Sequence, residues 1–227
     1  MSDPGGPRQL AFALDHAVSF AREDFLSGPS NATALALVET WPDWPARAVV
    51  LIGPAGSGKS HLASIWAAQA GARFLSGRAL AETHPPGALA TGALVVEDLA
   101  PGSFDERALF HLINLAREEE AYLLLTAASP PAGWTLAIRD LASRLKALPV
   151  VALSAPDDAL LRAVLVKLFA DRQLAVDEPL VGYVATRIER TFAAARAVVA
   201  QLDQEAMQRQ RPLTRALAAE VLREEDG

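Results

Sequence analysis

Leu51–Leu62 reads LIGPAGSGKSHL, and within it Gly53, Gly58, Lys59 and Ser60 hold the spacing G-x-x-x-x-G-K-S. The run before it, Ala48–Ile52, is continuously apolar and rich in β-branched residues, as a strand buried on both faces must be. The residues after it, His61 to Ala70, read as a helix closed by Gly71. A glycine-rich turn between a strand and a helix is the context in which this spacing cradles phosphate. Gly53, Gly56 and Gly58 let the backbone turn its N–H groups inward around phosphate oxygens. Lys59 would reach the terminal phosphates, the Ser60 hydroxyl would ligate magnesium, and the helix dipole would add to the hold. The cradle is expected over Gly53, Pro54, Ala55, Gly56, Ser57, Gly58, Lys59, Ser60 and His61, with ADP or ATP and Mg2+ as its ligands. The competing reading is a strand-to-helix turn that holds nothing.

Ala93–Ala100, ALVVEDLA, is a second strand that ends in two carboxylates. Downstream of a phosphate loop, Glu97 is expected to hold the magnesium and Asp98 to orient the attacking water. Two solvated acids at a strand end would look the same.

The composition bounds the remaining possibilities. Half the residues are hydrophobic (51%) and only 21% are charged, enough apolar surface for a packed core. There are no cysteines, which excludes disulfides, zinc–thiolate sites and thiol nucleophiles. A net charge of -6 argues against a large nucleic-acid surface, and no Lys/Arg cluster stands out. The first residues carry Asp3, Pro4, Gly5 and Gly6, not a basic leader and a long apolar run, so a cytoplasmic location is expected. The longest apolar runs, such as Ala93–Val96, are too short to cross a bilayer. His16, His61, His84 and His111 show no metal-ligand spacing.

Strand and helix patterns alternate as far as Leu153. Short apolar runs fall at Phe74–Leu75, Leu94–Val96, Tyr122–Leu125 and Val150–Leu153, with helices over Asn31–Thr40, Asp105–Glu120 and Arg139–Ala147. This order predicts a parallel sheet covered on both faces. After Pro156 only helices follow, over Asp157–Gln173, Pro179–Glu189, Phe192–Gln208 and Thr214–Glu224. The expected organisation is a flexible segment over 1–18, a nucleotide-binding α/β domain over 19–155 and a small helical domain over 156–227.

Taken together these stretches resemble the AAA+ superfamily, and within it the Hda-like regulators homologous to the replication initiator DnaA. REDFLSGPSNATAL (Arg22–Leu35) is similar to the segment lining the family's adenine pocket. FDERALFHLINLAREEEAYLLLTAASPP (Phe104–Pro131) is similar to the helix and strand after the acidic strand end. IRDLASRL (Ile138–Leu145) is similar to the stretch carrying the arginine finger. IERTFAAARAVVAQLDQ (Ile188–Gln204) and LTRALAAEVL (Leu213–Leu222) are similar to the lid helices. The resemblance implies a P-loop AAA+ α/β fold, a three-layer αβα domain with a parallel sheet followed by a helical lid. It also implies that the initiator's basic helix-turn-helix domain is not expected here, since the chain runs only to Gly227.

The resemblance implies further roles. Arg144 would act as the finger, reaching in trans into the site of ATP-bound DnaA. A surface arginine paired with Asp140 is the alternative. QLAFAL (Gln9–Leu14) looks like the peptide by which such regulators dock on the DNA polymerase III sliding clamp, through Gln9, Leu10, Phe12 and Leu14. A first strand or a loose tail fits the same alternation. The expected function is negative regulation of replication initiation, by stimulating hydrolysis of DnaA-bound ATP from the DNA-loaded clamp. Homo-oligomers are possible partners; sequence-specific DNA binding and membrane contact are not expected.

Three departures stand out. Glu97 stands where the family carries Asp, and Asp98 where many members carry the catalytic Glu. The polar sensor at the end of the Tyr122–Leu125 strand is expected at Ala128, and the lid arginine at Ala193, both apolar. Arg190 and Arg196 lie near Ala193 but at other angles of the helix, and either is a candidate to substitute for it. These changes predict tight nucleotide binding, with ADP as the expected occupant, and weak intrinsic hydrolysis. A stand-alone ATP-driven enzyme such as a helicase loader or a small-molecule kinase, and a scaffold that only binds DnaA, are the alternatives.

Overall fold

The five apolar runs become five parallel strands in a computed structural model that describes residues 20–82 and 85–224. A 3-10 turn over Arg22–Asp24 precedes α1 (Ala32–Glu39), and β1 (Ala48–Ile52) runs through the glycine loop into α2 (Lys59–Ala70). Then follow β2 (Arg73–Ser76), a single turn α3 (Pro85–Ala88), β3 (Ala93–Leu99), α4 (Glu106–Glu118), β4 (Tyr122–Ala127), α5 (Arg139–Ala147) and β5 (Val150–Ala152). The strand order is β2-β3-β4-β1-β5. The glycine loop leaves the carboxyl end of β1, which lies between β4 and β5, where open parallel sheets bind ligands.

Alternation along each strand supplies both cores. Val49, Leu51, Val95 and Leu124 pack with Leu62, Ile65 and Trp66 of α2 and with Leu35 and Val38 of α1. Val50, Leu94, Val96, Leu123 and Leu125 point the other way, onto Leu109, Leu112, Leu141 and Leu145 of α4 and α5. The segment before α5 is tied to α4, because the Ala137 and Ile138 N–H groups donate to the Glu106 carboxylate at 3.1 and 2.8 Å.

Strands cease at Ala152 among the described residues, and α6 (Asp158–Asp171), α7 (Glu178–Ala185), α8 (Phe192–Arg209) and α9 (Arg215–Glu224) follow. They share a third core built on Leu161, Leu165, Phe169, Val184, Val199 and Leu217. Asp157, Asp177 and Thr191 each accept a hydrogen bond from the first turn of the helix they precede, the N-capping arrangement.

Two boundaries differ from expectation by more than two residues. α7 stops at Ala185, not Glu189, because the Thr186 hydroxyl donates to the Gly182 and Tyr183 carbonyls and so competes for the last turn. β3 continues to Leu99 through a register shift between Val96 and Leu99, at which Asp98 takes φ +57°. Residues 9–14, His16 and His84 lie outside the described residues. No helix among the described residues is long and apolar enough to cross a membrane.

Candidate nucleotide-binding site

Gly58 sits at the N-cap of α2 with φ +100°, and Gly56 has φ +71°. Both values fall where a side chain is strained, so glycine is what allows the loop to wrap back over the start of α2. Lys59, the first residue of α2, is 8% exposed and turns its ammonium into the loop. Its Nζ donates to the Gly53 carbonyl at 2.8 Å and to the Pro54 carbonyl at 2.9 Å. Burial pulls the Lys59 pKa below its ordinary value, and the negative charges of Asp98 and then Glu97 partly restore it. An anion entering the loop would restore it further.

The loop opens into a cavity of about 900 Å3, at the large end of the range for small-molecule sites. Of the nine residues expected to form the cradle, Ala55, Gly56, Gly58, Lys59, Ser60 and His61 line it. Gly53, Pro54 and Ser57 stand behind them. Gly53 and Pro54 receive Lys59, and the Ser57 hydroxyl is buried without a hydrogen-bond partner.

Of the two acids, Asp98 lines the cavity and Glu97 does not. The register shift in β3 turns Asp98 toward the loop, and its backbone N–H donates to the Thr126 hydroxyl at 3.0 Å. Thr126 is 1% exposed. It puts a hydroxyl at the end of β4, two residues before exposed Ala128, where the sequence led to an apolar residue at the sensor position. Among the described residues no group of three acidic or histidine side chains is arranged to hold a metal ion. Magnesium in phosphate sites needs none, since it keeps several waters and takes one or two protein ligands plus phosphate oxygens. Ser60 and Asp98 are the residues on this wall with the chemistry for that role.

The expectation about the lid arginine changes. Ala193 and Arg196 both line the cavity, because residues three apart share one face of a helix. Arg196 is half-buried, and burial lowers its pKa. It has no carboxylate partner among the described residues. Its charge acts on His61, which places the guanidinium near the start of α2. Arg190 lies outside the cavity, exposed and paired with Asp158 at 2.9 Å.

His61 fastens the segment before α1. Its Nε2 lies 3.0 Å from the Ala21 carbonyl, which can only accept, so that nitrogen carries the proton. Phe20 and Phe25 meet the imidazole edge-on at 5.4 and 5.1 Å. Burial is the main cause of its lowered pKa; the Ala21 bond and Asp24 oppose the shift, while Arg196 and Lys167 add to it. Across the cavity, Lys167 of α6 binds Asp24 at 2.6 Å and Asp171 at 2.8 Å. Burial works against its ammonium, but the hydrogen bonds to Asp171 and Asp24 prevail and raise its pKa.

Arg144 is not part of this wall. It sits on α5, partly exposed, with its guanidinium carbon 5.3 Å from the centre of the Phe110 ring. No ion pair to Asp140 forms. Gln9, Leu10, Phe12 and Leu14 lie outside the described residues.

No family model matches the chain, and no curated protein does. Solved structures do. Domain III of the DnaA replication initiator from Thermotoga maritima superposes with a TM-score of 0.75 at 17% identity, over 90% of this chain and 96% of that one. AMPPCP-bound DnaA from Aquifex aeolicus gives 0.69 at 14% identity, over 83% of this chain and 66% of that one. The Thermotoga maritima RuvB Holliday junction branch migration motor gives 0.70 at 16% identity, over 90% and 72%. At such identities the likeness is one of fold: the chain shares the fold of DnaA domain III and of the RuvB motor, a parallel α/β sheet followed by a helical part.

Proposed function

We propose that this chain is a DnaA-related, Hda-like AAA+ regulator that holds ADP and promotes hydrolysis of ATP bound to DnaA. The observation that carries the nucleotide reading is one cavity wall. It brings together a buried lysine whose donors rest on loop carbonyls and a half-buried arginine with no carboxylate partner among the described residues. Phosphate oxygens are the ligand that satisfies both. In this reading residues 19–155 form the nucleotide-binding domain and 156–227 its lid. Lys59 and Arg196 bind phosphate, and the N–H groups of Gly56 and Gly58 cradle it. Ser60 and Asp98 hold magnesium, replacing Glu97 in that role. Magnesium would supply charge neutralisation between the phosphates.

Arg144 supports action in trans. It does not line its own chain's cavity, and it is partly exposed on α5. A guanidinium placed at a neighbour's transferring phosphoryl stabilises developing charge, an effect worth roughly 10³–10⁵ in rate. Clamp docking through Gln9, Leu10, Phe12 and Leu14 completes the proposal, with activity confined to DNA-loaded clamps. The test is a DnaA–ATP hydrolysis assay with clamp-loaded DNA and the full chain. Accelerated hydrolysis that is lost when residues 1–14 are deleted supports the reading. No acceleration in the presence of bound ADP sinks it.

The likeness to the RuvB motor favours a second reading, a nucleotide-driven machine with its own turnover. Rapid multi-turnover ATP hydrolysis by the purified chain alone would select it.

A further inference from the structure

The segment Phe20–Leu26 runs along one side of the cavity and contributes Phe20, Asp24, Phe25 and Leu26 to its lining. On the α2 side it is held by His61, through the Ala21 carbonyl and the two edge-on rings. On the α6 side it is held by Lys167, whose ammonium bridges Asp24 Oδ1 at 2.6 Å and both Asp171 oxygens at 2.8 and 3.0 Å. Asp24, Lys167 and Asp171 all line the cavity themselves. The pair with Asp24 is about three-quarters buried, with side chains 24% and 25% exposed. It joins the segment before α1 to α6 of the helical part of the chain, along the lining of the cavity.

We propose that the Asp24–Lys167–Asp171 bridge is a latch across the mouth of the cavity, and that it sets the rate at which bound nucleotide leaves. This rests on the nucleotide reading of the cavity and adds its regulation. Lys167 is then a positioning residue. It need touch no phosphate, because it acts by holding the Phe20–Leu26 strap over the ligand. A latch of opposite charges weakens with ionic strength, since partly exposed pairs are screened. Nucleotide exchange therefore responds to salt and to any anionic partner that competes for the Lys167 ammonium.

The test is stopped-flow release of a fluorescent ADP analogue from the full chain, comparing wild type with Lys167→Met, Asp24→Asn and the double variant. Each single change raises the release rate roughly fivefold with association little altered, the scale of one partly buried ion pair. The double variant releases no faster than either single one, because both remove the same contact. Lys167→Arg keeps release slow. Raising salt from about 0.05 to about 0.5 M speeds release from wild type but not from Lys167→Met. An unchanged release rate in Lys167→Met overturns the latch, and so do fully additive effects of the two changes. Lys59→Ala separates the two ideas. If it binds the analogue as wild type does, the nucleotide reading itself falls. If it loses binding while Lys167→Met releases at the wild-type rate, only the latch falls.

Discussion

The Phe192 N–H donates to the Gly56 carbonyl at 3.0 Å, so the first residue of α8 is hydrogen-bonded to the glycine loop. The contact is close as well as polar. A Cβ added at Gly56 would lie 3.0 Å from Thr191 Cβ and 3.3 Å from Ala193 Cβ, at a φ of +71° that side chains rarely adopt. Gly56→Ala therefore strains the loop and pushes α8 away from it. The expected cost is about 1–3 kcal/mol, read as a lowered melting temperature. Nucleotide affinity falls with it, because Arg196 rides on the displaced helix. An unchanged melting temperature and affinity would show that loop and helix are not coupled through this contact.

Arg196→Ala separates stability from binding. The arginine is half-buried, its pKa is lowered by burial, and it has no carboxylate partner among the described residues. Removing it relieves a desolvation cost in the ligand-free protein, so the melting temperature without nucleotide should hold or rise. Affinity for ADP should drop roughly tenfold, the scale of a charge-assisted hydrogen bond. Thermal shift with and without ADP reads both quantities. A fall in ligand-free stability with affinity intact would assign Arg196 a structural role.

How far the site could be read in sequence follows from which signals are local. Ala48–Ile52 and the loop after it were legible because spacing, burial and the following helix all agree over a dozen residues. The choice between Glu97 and Asp98 was not. Alternation sends adjacent residues of a strand to opposite faces, and the register shift with φ +57° at Asp98 decides which one meets the loop. Thr126 was hidden inside an apolar strand, where a β-branched residue reads as packing, and only tertiary contact shows its hydroxyl against Asp98. Helix angle alone left Arg190 and Arg196 both open; Arg190 falls before α8 begins, whereas Arg196 lies one turn beyond Ala193 on the same face and lines the cavity. The Asp24–Lys167 bridge spans 143 positions and leaves no local pattern at all.

Arg144 stacks near Phe110 and forms no ion pair among the described residues, so its removal asks little of the fold. A partly exposed cation–π contact is worth about 0.5–1 kcal/mol, and Arg144→Ala should lower the melting temperature by no more than that implies. ADP affinity should be unchanged, because Arg144 is absent from the cavity wall. Stimulation of DnaA–ATP hydrolysis should fall by about three orders of magnitude, with Arg144→Lys only partly active since an ammonium lacks the planar fork. Stimulation that survives Arg144→Ala would remove the finger from the proposal and leave a nucleotide-bound adaptor.

Acid should loosen the strap through His61. Burial lowers the His61 pKa from its ordinary 6.5, so the folded protein prefers the neutral ring. Between the folded value and 6.5 the unfolded chain holds more protons than the folded one, and stability rises with pH across that window. The contribution is complete above about pH 6.5 and is lost as pH falls below it. Protonation would also place a further cation beside Arg196 and Lys167, whose charges already disfavour it, and partial compensation comes from the Ala21 carbonyl and Asp24. Melting curves of wild type and His61→Gln from about pH 8 to about pH 5 read the effect. The gap between the two proteins should be widest above pH 6.5 and should narrow on acidification. A gap that stays constant across the range would mean that burial does not hold the His61 pKa below its ordinary value in the folded protein.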